Sequence, residues 1–128
     1  MFSRRTLVAL ALALPVASIL PAIAASKYSP AVLAEAQKSG KPILVDVTAP
    51  WCPTCKAQKV VLKELDKQAR FKNFVRIEVD FDTQKDALKA LKATTQSTLI
   101  VYKGDKEVGR LAGETRKEAI EALLAKAL

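Results

Sequence analysis

ILVDVTAPWCPTCK, residues 43–56, is the stretch that decides the fold of this chain. It contains both cysteines and the only tryptophan of the 128 residues. Its first part is apolar apart from Asp46, which is typical of a central strand buried on both faces of a largely parallel sheet. Its second part turns at Ala49-Pro50 and opens a helical pattern after Cys52. Two cysteines separated by two residues at such a turn indicate a thiol–disulfide exchange pair.

The flanking sequence predicts alternating helices and strands. Spacing typical of helix caps occurs at Ser29, Thr83 and Thr115. The predicted elements are, in chain order, helix 30–38, strand 43–48, helix 53–70, strand 74–80, helix 83–93, strand 98–102, strand 107–112 and helix 115–126. The second helix is expected to bury the face that carries Val60, Val61, Leu65 and Ala69.

This order of elements predicts an α/β fold. A strand–helix–strand unit implies a right-handed parallel crossover, and the hairpin at residues 103–106 adds an antiparallel edge. We therefore expect a mixed central sheet with helices on both faces.

Residues 1–25 have the layout of a secretory signal peptide. Arg4 and Arg5 precede an apolar stretch, residues 7–20, that Pro15 interrupts and small residues follow. An uncleaved membrane anchor is the alternative, but the stretch is shorter than the roughly 20 residues that span a bilayer. The paired arginines also resemble a twin-arginine export motif. We expect an exported, periplasmic protein with one domain, residues 26–128, and no stable membrane insertion after cleavage.

The basic charge has a simple interpretation. The formal net charge of the whole chain is +8, and removal of the signal segment takes away Arg4 and Arg5 without any acid. The remaining lysines are scattered through helical stretches without a dense run or interleaved aromatic residues, so they favour a solvated surface over nucleic-acid binding. Weak attraction to acidic partners or membrane surfaces stays open.

Two other interpretations of the cysteine pair are weaker. A structural disulfide that closes so short a ring removes little entropy from the unfolded chain. A structural zinc site needs four ligands, whereas the chain has two cysteines and no histidine. No metal site is predicted within one chain.

Beyond the pair, the chain resembles the thioredoxin family over almost everything after residue 25. The residues that carry the resemblance are 41–46, 49–56, 79–80, 98–104 and Gly113. The resemblance implies a thioredoxin-like three-layer sandwich and thiol–disulfide oxidoreductase activity that uses the cysteine pair itself and no added cofactor.

The resemblance and the chemistry of thiols together suggest roles around the pair. Cys52 is expected at a helix start, where the helix dipole favours a nucleophilic thiolate. Cys55 is expected to be more buried and to resolve the mixed disulfide. Pro53 and Thr54 occupy the positions that tune the redox potential in the family. Lys56 adds a nearby positive charge or is simply solvated.

Asp46 is the leading candidate for a general base. It is the only charge in a buried run, so burial is expected to raise its pKa, unless the strand bends the carboxylate into solvent. The resemblance places such an acid beneath the cysteines, as proton acceptor for the resolving thiol. Arg76 matches a position where a lysine approaches that acid, or it points outward from its strand. Trp51 flanks the site as a contact surface, with core packing as the alternative.

Ser97 departs from the family pattern. Relatives carry a cis-proline directly before the strand that begins here at Thr98. Because a cis bond before a non-proline residue costs about 2.5–4 kcal/mol, we expect the Gln96–Ser97 bond to be trans. Gln96 and Ser97 are expected to face the cysteines and to offer backbone contacts to a substrate. The resemblance also implies that the missing proline leaves room for an iron–sulfur or other metal site between two chains.

The sequence thus predicts an exported, monomeric thiol–disulfide oxidoreductase that acts on protein thiols and disulfides. The absence of an inserted helical subdomain favours a reductase over an oxidant. Outside the cytosol, such a reductase needs a membrane electron donor for recycling. The alternative is a non-catalytic module that kept the fold as a metal-binding, adaptor or chaperone-like domain.

Overall fold

A mixed five-stranded sheet lies at the centre of the computed structural model, which describes residues 24–128. The elements are, in chain order, β1 (Ser26–Lys27), α1 (Pro30–Lys38), β2 (Pro42–Thr48), α2 (Pro53–Leu65), a short 3-10 helix (Ala69–Phe71), β3 (Val75–Asp80), α3 (Lys85–Leu91), β4 (Thr98–Lys103), β5 (Lys106–Ala112) and α4 (Lys117–Ala125). Positions 1–23 of the expected signal segment lie outside the described residues. Among residues 24–128, no helix has the length and apolar content needed to cross a membrane.

The strand order is β1-β3-β2-β4-β5. β1, β3 and β2 run parallel to one another, whereas β4 is antiparallel to β2 and β5 is antiparallel to β4. β2 is central, and its residues 43–47 are all buried. The expected mixed sheet is confirmed, with β1 as an additional edge strand that the sequence pattern did not predict.

Helices cover both faces of the sheet, as expected. Alternate residues of β2 point to opposite faces, so Val45 packs in the cluster under α1 and α3, while Leu44 packs in the cluster under α2 and α4. Asp46 shares the face of Leu44. The general-base candidate and the helix that carries the cysteines therefore lie on the same side of the sheet.

Several predicted helix limits are wrong. α2 ends at Leu65 rather than near Arg70, and the 3-10 helix then directs the fully buried Phe71 into the core. The buried face of α2 was predicted correctly only in part: Leu65 is buried and Val61 is half-buried, but Val60 is 69% exposed and Ala69 lies beyond the end of the helix. The residues of α2 that are buried are Cys55, Gln58, Leu62 and Leu65.

One of the three predicted side-chain caps is confirmed. The Ser29 hydroxyl accepts a hydrogen bond from the Val32 N–H at 3.1 Å. Thr83 does not cap α3, because its N–H instead donates to the carboxylate of Asp80 and the helix begins after Gln84. Likewise, α4 begins after Arg116, without a side-chain cap. The Glu114 carboxylate there accepts from the N–H groups of Thr115 and Arg116.

Candidate active site

The two cysteines form a disulfide at the start of α2. Cys52 is the N-cap residue, and its Sγ accepts a hydrogen bond from the Cys55 N–H at 3.1 Å. Pro53 occupies the first helical position, where its missing N–H costs no hydrogen bond. The sulfur of Cys52 therefore lies at the positive end of the helix dipole, as the sequence predicted.

Both cysteines are buried. Cys52 is 1% exposed and Cys55 is 2% exposed, so the expected difference in burial between them is not found. Their apolar neighbours are Ala49 and the partly buried Phe81. In this oxidised state, neither sulfur is open to a substrate without some movement of the surrounding residues.

Ser97 contacts both sulfurs directly. Its Oγ lies 3.0 Å from the Sγ of Cys52 and 3.1 Å from the Sγ of Cys55. The side chain is enclosed, with Ser97 only 3% exposed. No cis peptide bond occurs in residues 24–128, so the Gln96–Ser97 bond is trans, as expected. The expectation that Ser97 faces the cysteines is confirmed, and the contact is made by its hydroxyl.

The backbone of Ser97 is held by three hydrogen bonds. Its N–H donates to the Val47 carbonyl at 2.8 Å, and its carbonyl accepts from the Gly113 N–H at 2.9 Å. The same carbonyl accepts from Nε2 of Gln58 at 2.9 Å. These polar backbone groups, which the sequence assigned to substrate contacts, are thus already paired within the chain. The φ of Ser97 is +60°, a left-handed conformation that is uncommon for a residue other than glycine.

Gln58 is a site residue that sequence reasoning missed. It is fully buried, and its Nε2 donates to the carbonyls of both Ser97 and Glu114 at 2.9 Å. Its Oε1 has no hydrogen-bond partner among the described residues. The signal that was available is its spacing, because Gln58 follows Cys55 by three residues and precedes Leu62 by four, on one face of a helix.

Asp46 is buried beneath α2, as predicted. It is 6% exposed, and its Oδ1 has no hydrogen-bond partner among residues 24–128. Burial raises the pKa of its carboxyl to about 6, with Lys59 opposing the rise and Glu78 adding to it. Glu78 is the register partner of Asp46 on β3, and it pairs with Lys59 at 3.0 Å. A buried carboxyl with this pKa can exchange a proton near neutral pH.

The Lys59–Glu78 ion pair borders two adjoining cavities. A cavity of about 580 Å³ is lined by Cys55 together with both members of the pair. A second cavity, of about 230 Å³, is lined by Asp46 together with the same two residues. The ion pair is therefore shared by the walls of two cavities, one of which is also lined by Cys55 and the other by Asp46.

A protein-family model described as Thioredoxin matches residues 23–126. The chain belongs to the thioredoxin family. It is 31% identical to the thioredoxin of Coprinus comatus over 90 residues, which cover 70% of this chain and 84% of that protein. It is 30% identical to Thioredoxin H-type of Fagopyrum esculentum over 89 residues, which cover 70% of this chain and 75% of that protein. The crystal structure of Trxlp from Edwardsiella tarda EIB202 is similar with a TM-score of 0.71 and 45% identity, covering 77% of this chain and 98% of that one.

Family membership and the cysteine disulfide together make this chain a thiol–disulfide oxidoreductase of the thioredoxin type. The expected fold class is confirmed by the same similarities. The roles assigned to individual residues stay predictions, and the positions of the remaining candidates around this thioredoxin-family site show which of them reach the sulfurs.

Arg76 is buried rather than outward-pointing. It is 9% exposed, and its guanidinium pairs with Asp66 rather than with Asp46. Burial lowers the pKa of Arg76, while the neighbouring Asp66 opposes that change. Arg76 lines the same 230 Å³ cavity as Asp46 and acts on that carboxyl through its charge, which lowers the Asp46 pKa.

Among the described residues, none of the other candidates makes a hydrogen bond to a cysteine sulfur. Trp51 is 56% exposed and donates from Nε1 to the Asp82 carboxylate at 2.8 Å, which fits a contact surface rather than core packing. Lys56 is exposed and lines the cavity beside Cys55. The buried Thr98 hydroxyl donates to the Thr95 carbonyl at 2.8 Å and not to a sulfur. Pro53 is exposed, and Thr54 and Gln96 are half-buried.

Proposed function

We propose that this thioredoxin-family protein is an exported reductase of protein disulfides, with Cys52 as nucleophile, Cys55 as resolving thiol and Asp46 as proton acceptor. The observation that carries the proposal is the position of the Cys52 sulfur at the N-cap of α2, where it accepts the Cys55 N–H. A helix start of this kind favours the thiolate over the thiol.

The first step starts from the reduced pair. The Cys52 thiolate attacks one sulfur of a substrate disulfide, a new bond forms between the two sulfurs, and the substrate S–S bond breaks. The substrate sulfur that leaves takes the electron pair of that bond and is protonated to a thiol. The product is a mixed disulfide between Cys52 and the substrate.

The second step releases the substrate. The Cys55 thiol gives its proton to the Asp46 carboxylate and then attacks the Cys52 sulfur, which forms the disulfide seen here. The second substrate sulfur leaves as a thiolate, so two electrons have moved from the dithiol to the substrate. An Asp46 pKa of about 6 suits this transfer, because efficient proton acceptors have pKa values near the working pH.

A reductive direction is supported by the compactness of the domain. The connection from β3 to β4 holds only α3, so the described residues contain no inserted helical subdomain there. A reductase outside the cytosol must be recharged after each turnover, and we propose a membrane electron donor that reduces the Cys52–Cys55 disulfide.

Export completes the proposal. The basic, apolar and small-residue pattern of residues 1–25 supports export with removal of that segment. N-terminal sequencing of the protein from a periplasmic fraction tests this directly, and a start at residue 25 or 26 is expected. Recovery of the intact chain from the cytosol would contradict export without affecting the proposed chemistry.

Reduction of insulin disulfides tests the activity. The purified domain is expected to reduce insulin with dithiothreitol as electron source, and the Cys52→Ser variant is expected to be inactive. The Cys55→Ser variant should accumulate a mixed disulfide with the substrate. Absence of turnover in the wild type, together with visible-range iron–sulfur absorbance, would favour the non-catalytic metal-binding alternative.

The reduction potential of the cysteine pair tests the direction. A value near that of thioredoxin, about −270 mV, is expected for a reductase. A value near about −120 mV, as in a strong periplasmic oxidant, would reverse the proposed direction. Equilibration with glutathione at known ratios gives this potential.

A further inference from the structure

We propose that the Ser97 hydroxyl is a catalytic hydrogen-bond donor that stabilises the thiolate on Cys52 before attack and on Cys55 during resolution. The proposal deepens the disulfide-exchange function and rests on it. It assigns a chemical role to the position at which this chain departs from the proline expected by resemblance. The role belongs to the side chain, whereas the sequence had suggested only backbone contacts.

Burial of the pair creates the need for such a donor. Cys52 and Cys55 are at most 2% exposed and pack against Ala49 and Phe81. Apolar surroundings disfavour a thiolate, because the charged form loses its hydration. The helix start alone must offset this cost unless a further donor reaches the sulfur.

The structure provides one such donor. Within the described residues, the Sγ of Cys52 has two hydrogen-bond partners, the Cys55 N–H at 3.1 Å and the Ser97 hydroxyl at 3.0 Å. Hydrogen bonds to a charged acceptor are about twice as strong as those between neutral groups. The hydroxyl therefore stabilises a thiolate more than it stabilises the disulfide that it contacts here.

One hydroxyl serves both sulfurs because it is nearly equidistant from them. The separation from Cys55 is 3.1 Å, against 3.0 Å from Cys52, and the hydroxyl hydrogen rotates to suit its acceptor. In the proposed sequence of steps, the negative charge is on Cys52 first and on Cys55 later. Rotation about one bond lets Ser97 follow the charge, and Ser97 never gives up its proton.

The backbone of Ser97 fixes where the hydroxyl lies. A non-glycine residue at φ +60° is strained, so the surrounding structure must hold it in that conformation. The bonds to Val47, Gly113 and Gln58 hold it there. A buried side chain with this much support is a positioned donor rather than a mobile one.

The charged groups that border the neighbouring cavities make no hydrogen bond to either sulfur among the described residues, and neither does Glu114, whose carbonyl shares the Gln58 amide with Ser97. The cavity next to Cys55 is bordered by Lys27, Lys56, Lys59, Glu78 and Asp80, and the adjoining cavity by Asp46, Lys63, Asp66 and Arg76. These groups are carried by β1, α2, the turn that follows α2, β2 and β3, whereas Ser97 approaches from the loop before β4. Their effects on thiol titration are common to all the variants compared below.

The test measures thiolate formation at equilibrium, so that access to the buried sulfur does not matter. Ser97→Ala and Ser97→Gly are each introduced into the Cys55→Ser background, and the ultraviolet absorbance of the Cys52 thiolate is followed against pH. Both variants are expected to raise the pH midpoint by about one pH unit, which is about tenfold less thiolate below the midpoint. The same substitutions in the Cys52→Ser background are expected to act on Cys55 in the same direction.

Comparison of the two variants separates the hydroxyl from the backbone. Glycine adopts a positive φ without strain, whereas alanine does not, so their stabilities should differ while their thiolate midpoints agree. Thr95→Ala removes another hydroxyl from the same loop, one that bonds to the Gln96 carbonyl, and should leave the midpoint unchanged. Far-ultraviolet circular dichroism verifies that each variant is folded.

A second measurement uses the chain with both cysteines. At a fixed glutathione ratio, Ser97→Ala and Ser97→Gly should hold a larger disulfide fraction than the wild type, because they lose stabilisation of the reduced form. Unchanged midpoints and unchanged disulfide fractions would overturn the role of Ser97, even if the wild type reduces insulin. Failure of the wild type to reduce insulin would instead contradict the proposed function and leave these titrations interpretable.

Discussion

The two faces of the central sheet are each covered by two helices, yet they are built differently. Under α1 and α3, the buried cluster consists of aliphatic residues and two tyrosines. Under α2 and α4, the apolar cluster is joined by Asp46, Gln58 and Arg76, which are all buried. Each of these three residues has a polar atom without a hydrogen-bond partner among the described residues.

This difference shows that the destabilising buried polar groups among the described residues lie on the face under α2 and α4. A buried polar group without a partner costs about 1–3 kcal/mol. Asp46 and Gln58 lie on the face of the cysteine helix, where one is proposed to move a proton and the other holds the Ser97 carbonyl. The α1/α3 face serves stability, and the α2/α4 face also serves chemistry.

The largest effect on stability is expected from a substitution in the cluster under α1 and α3. Ile100 on β4 is fully buried in the cluster under α1 and α3. Ile100→Ala removes buried methyl groups and leaves a cavity, so the free energy of unfolding should fall by about 2–5 kcal/mol. Urea denaturation measures this loss. The thiolate midpoint of Cys52 should not move, and a moved midpoint would mean that the two faces are coupled.

The second effect is an increase in the free energy of unfolding, and it is expected from substitution of Asp46. The folded pKa of Asp46, about 6, is raised above its ordinary value of 3.8, so the folded protein binds the proton more tightly than the unfolded chain does. The stabilisation from this carboxyl is complete below the unfolded pKa and is lost as pH rises through about 6. Asp46→Asn should therefore raise the free energy of unfolding by about 3 kcal/mol at about pH 8 and change it little at about pH 4.

Denaturation of the oxidised protein at both pH values measures the Asp46 effect, and insulin turnover of the same variant should fall. A variant that is equally stabilised at both pH values would show that burial of the polar group, rather than its ionisation, is responsible. A stabilised variant with unchanged turnover would contradict the role of Asp46 as proton acceptor.

The sequence predicted much of the face of the sheet under α2 and α4, but not the contact of the Ser97 hydroxyl with both cysteine sulfurs. The burial of Asp46 follows from its place in an apolar run, and the helix start at Cys52 follows from Pro53 and the cysteine spacing. Both signals are local. The conformation of Ser97 is not local, because it depends on partners at Val47, Gly113 and Gln58, which are distant in sequence.

Two of the three predicted caps failed for a related reason. Thr83 and Thr115 have the right residue type and spacing, but nearby carboxylates changed the turns in front of the helices. Asp80 accepts the Thr83 N–H, and Glu114 accepts the Thr115 N–H. Cap spacing alone does not show which side chain reaches the open N–H groups first.

A smaller effect is expected from Gln58. Gln58→Leu keeps the side chain buried and removes the two hydrogen bonds to Ser97 and Glu114. The free energy of unfolding should fall by about 1–2 kcal/mol. Hydrogen exchange of the Ser97 N–H, which is bonded to Val47, should become faster. Gln37→Leu on α1, at a half-buried site on the other face, is the matched control and should not change that exchange rate.

The smallest effect concerns the ion pair shared by the walls of the two cavities. Lys59 lowers the pKa of Asp46 and Glu78 raises it, so Lys59→Met should raise that pKa and Glu78→Gln should lower it. Because the two side chains are 45% and 40% exposed, water and salt screen their charges, and each change should be less than about one pH unit. Carbon-detected NMR titration of the Asp46 carboxyl measures both changes.

Lys117→Met is the matched control for this titration. Lys117 pairs with Glu64 at 2.7 Å and is similarly exposed, but neither residue lines the Asp46 cavity. Lys117→Met should therefore leave the Asp46 pKa unchanged. Added salt should weaken the effects of the Lys59 and Glu78 substitutions, since charges at the surface are screened within about 10 Å at about 0.1 M ionic strength. If both substitutions shift the Asp46 pKa in the same direction, rearrangement of the cavity rather than charge controls that pKa.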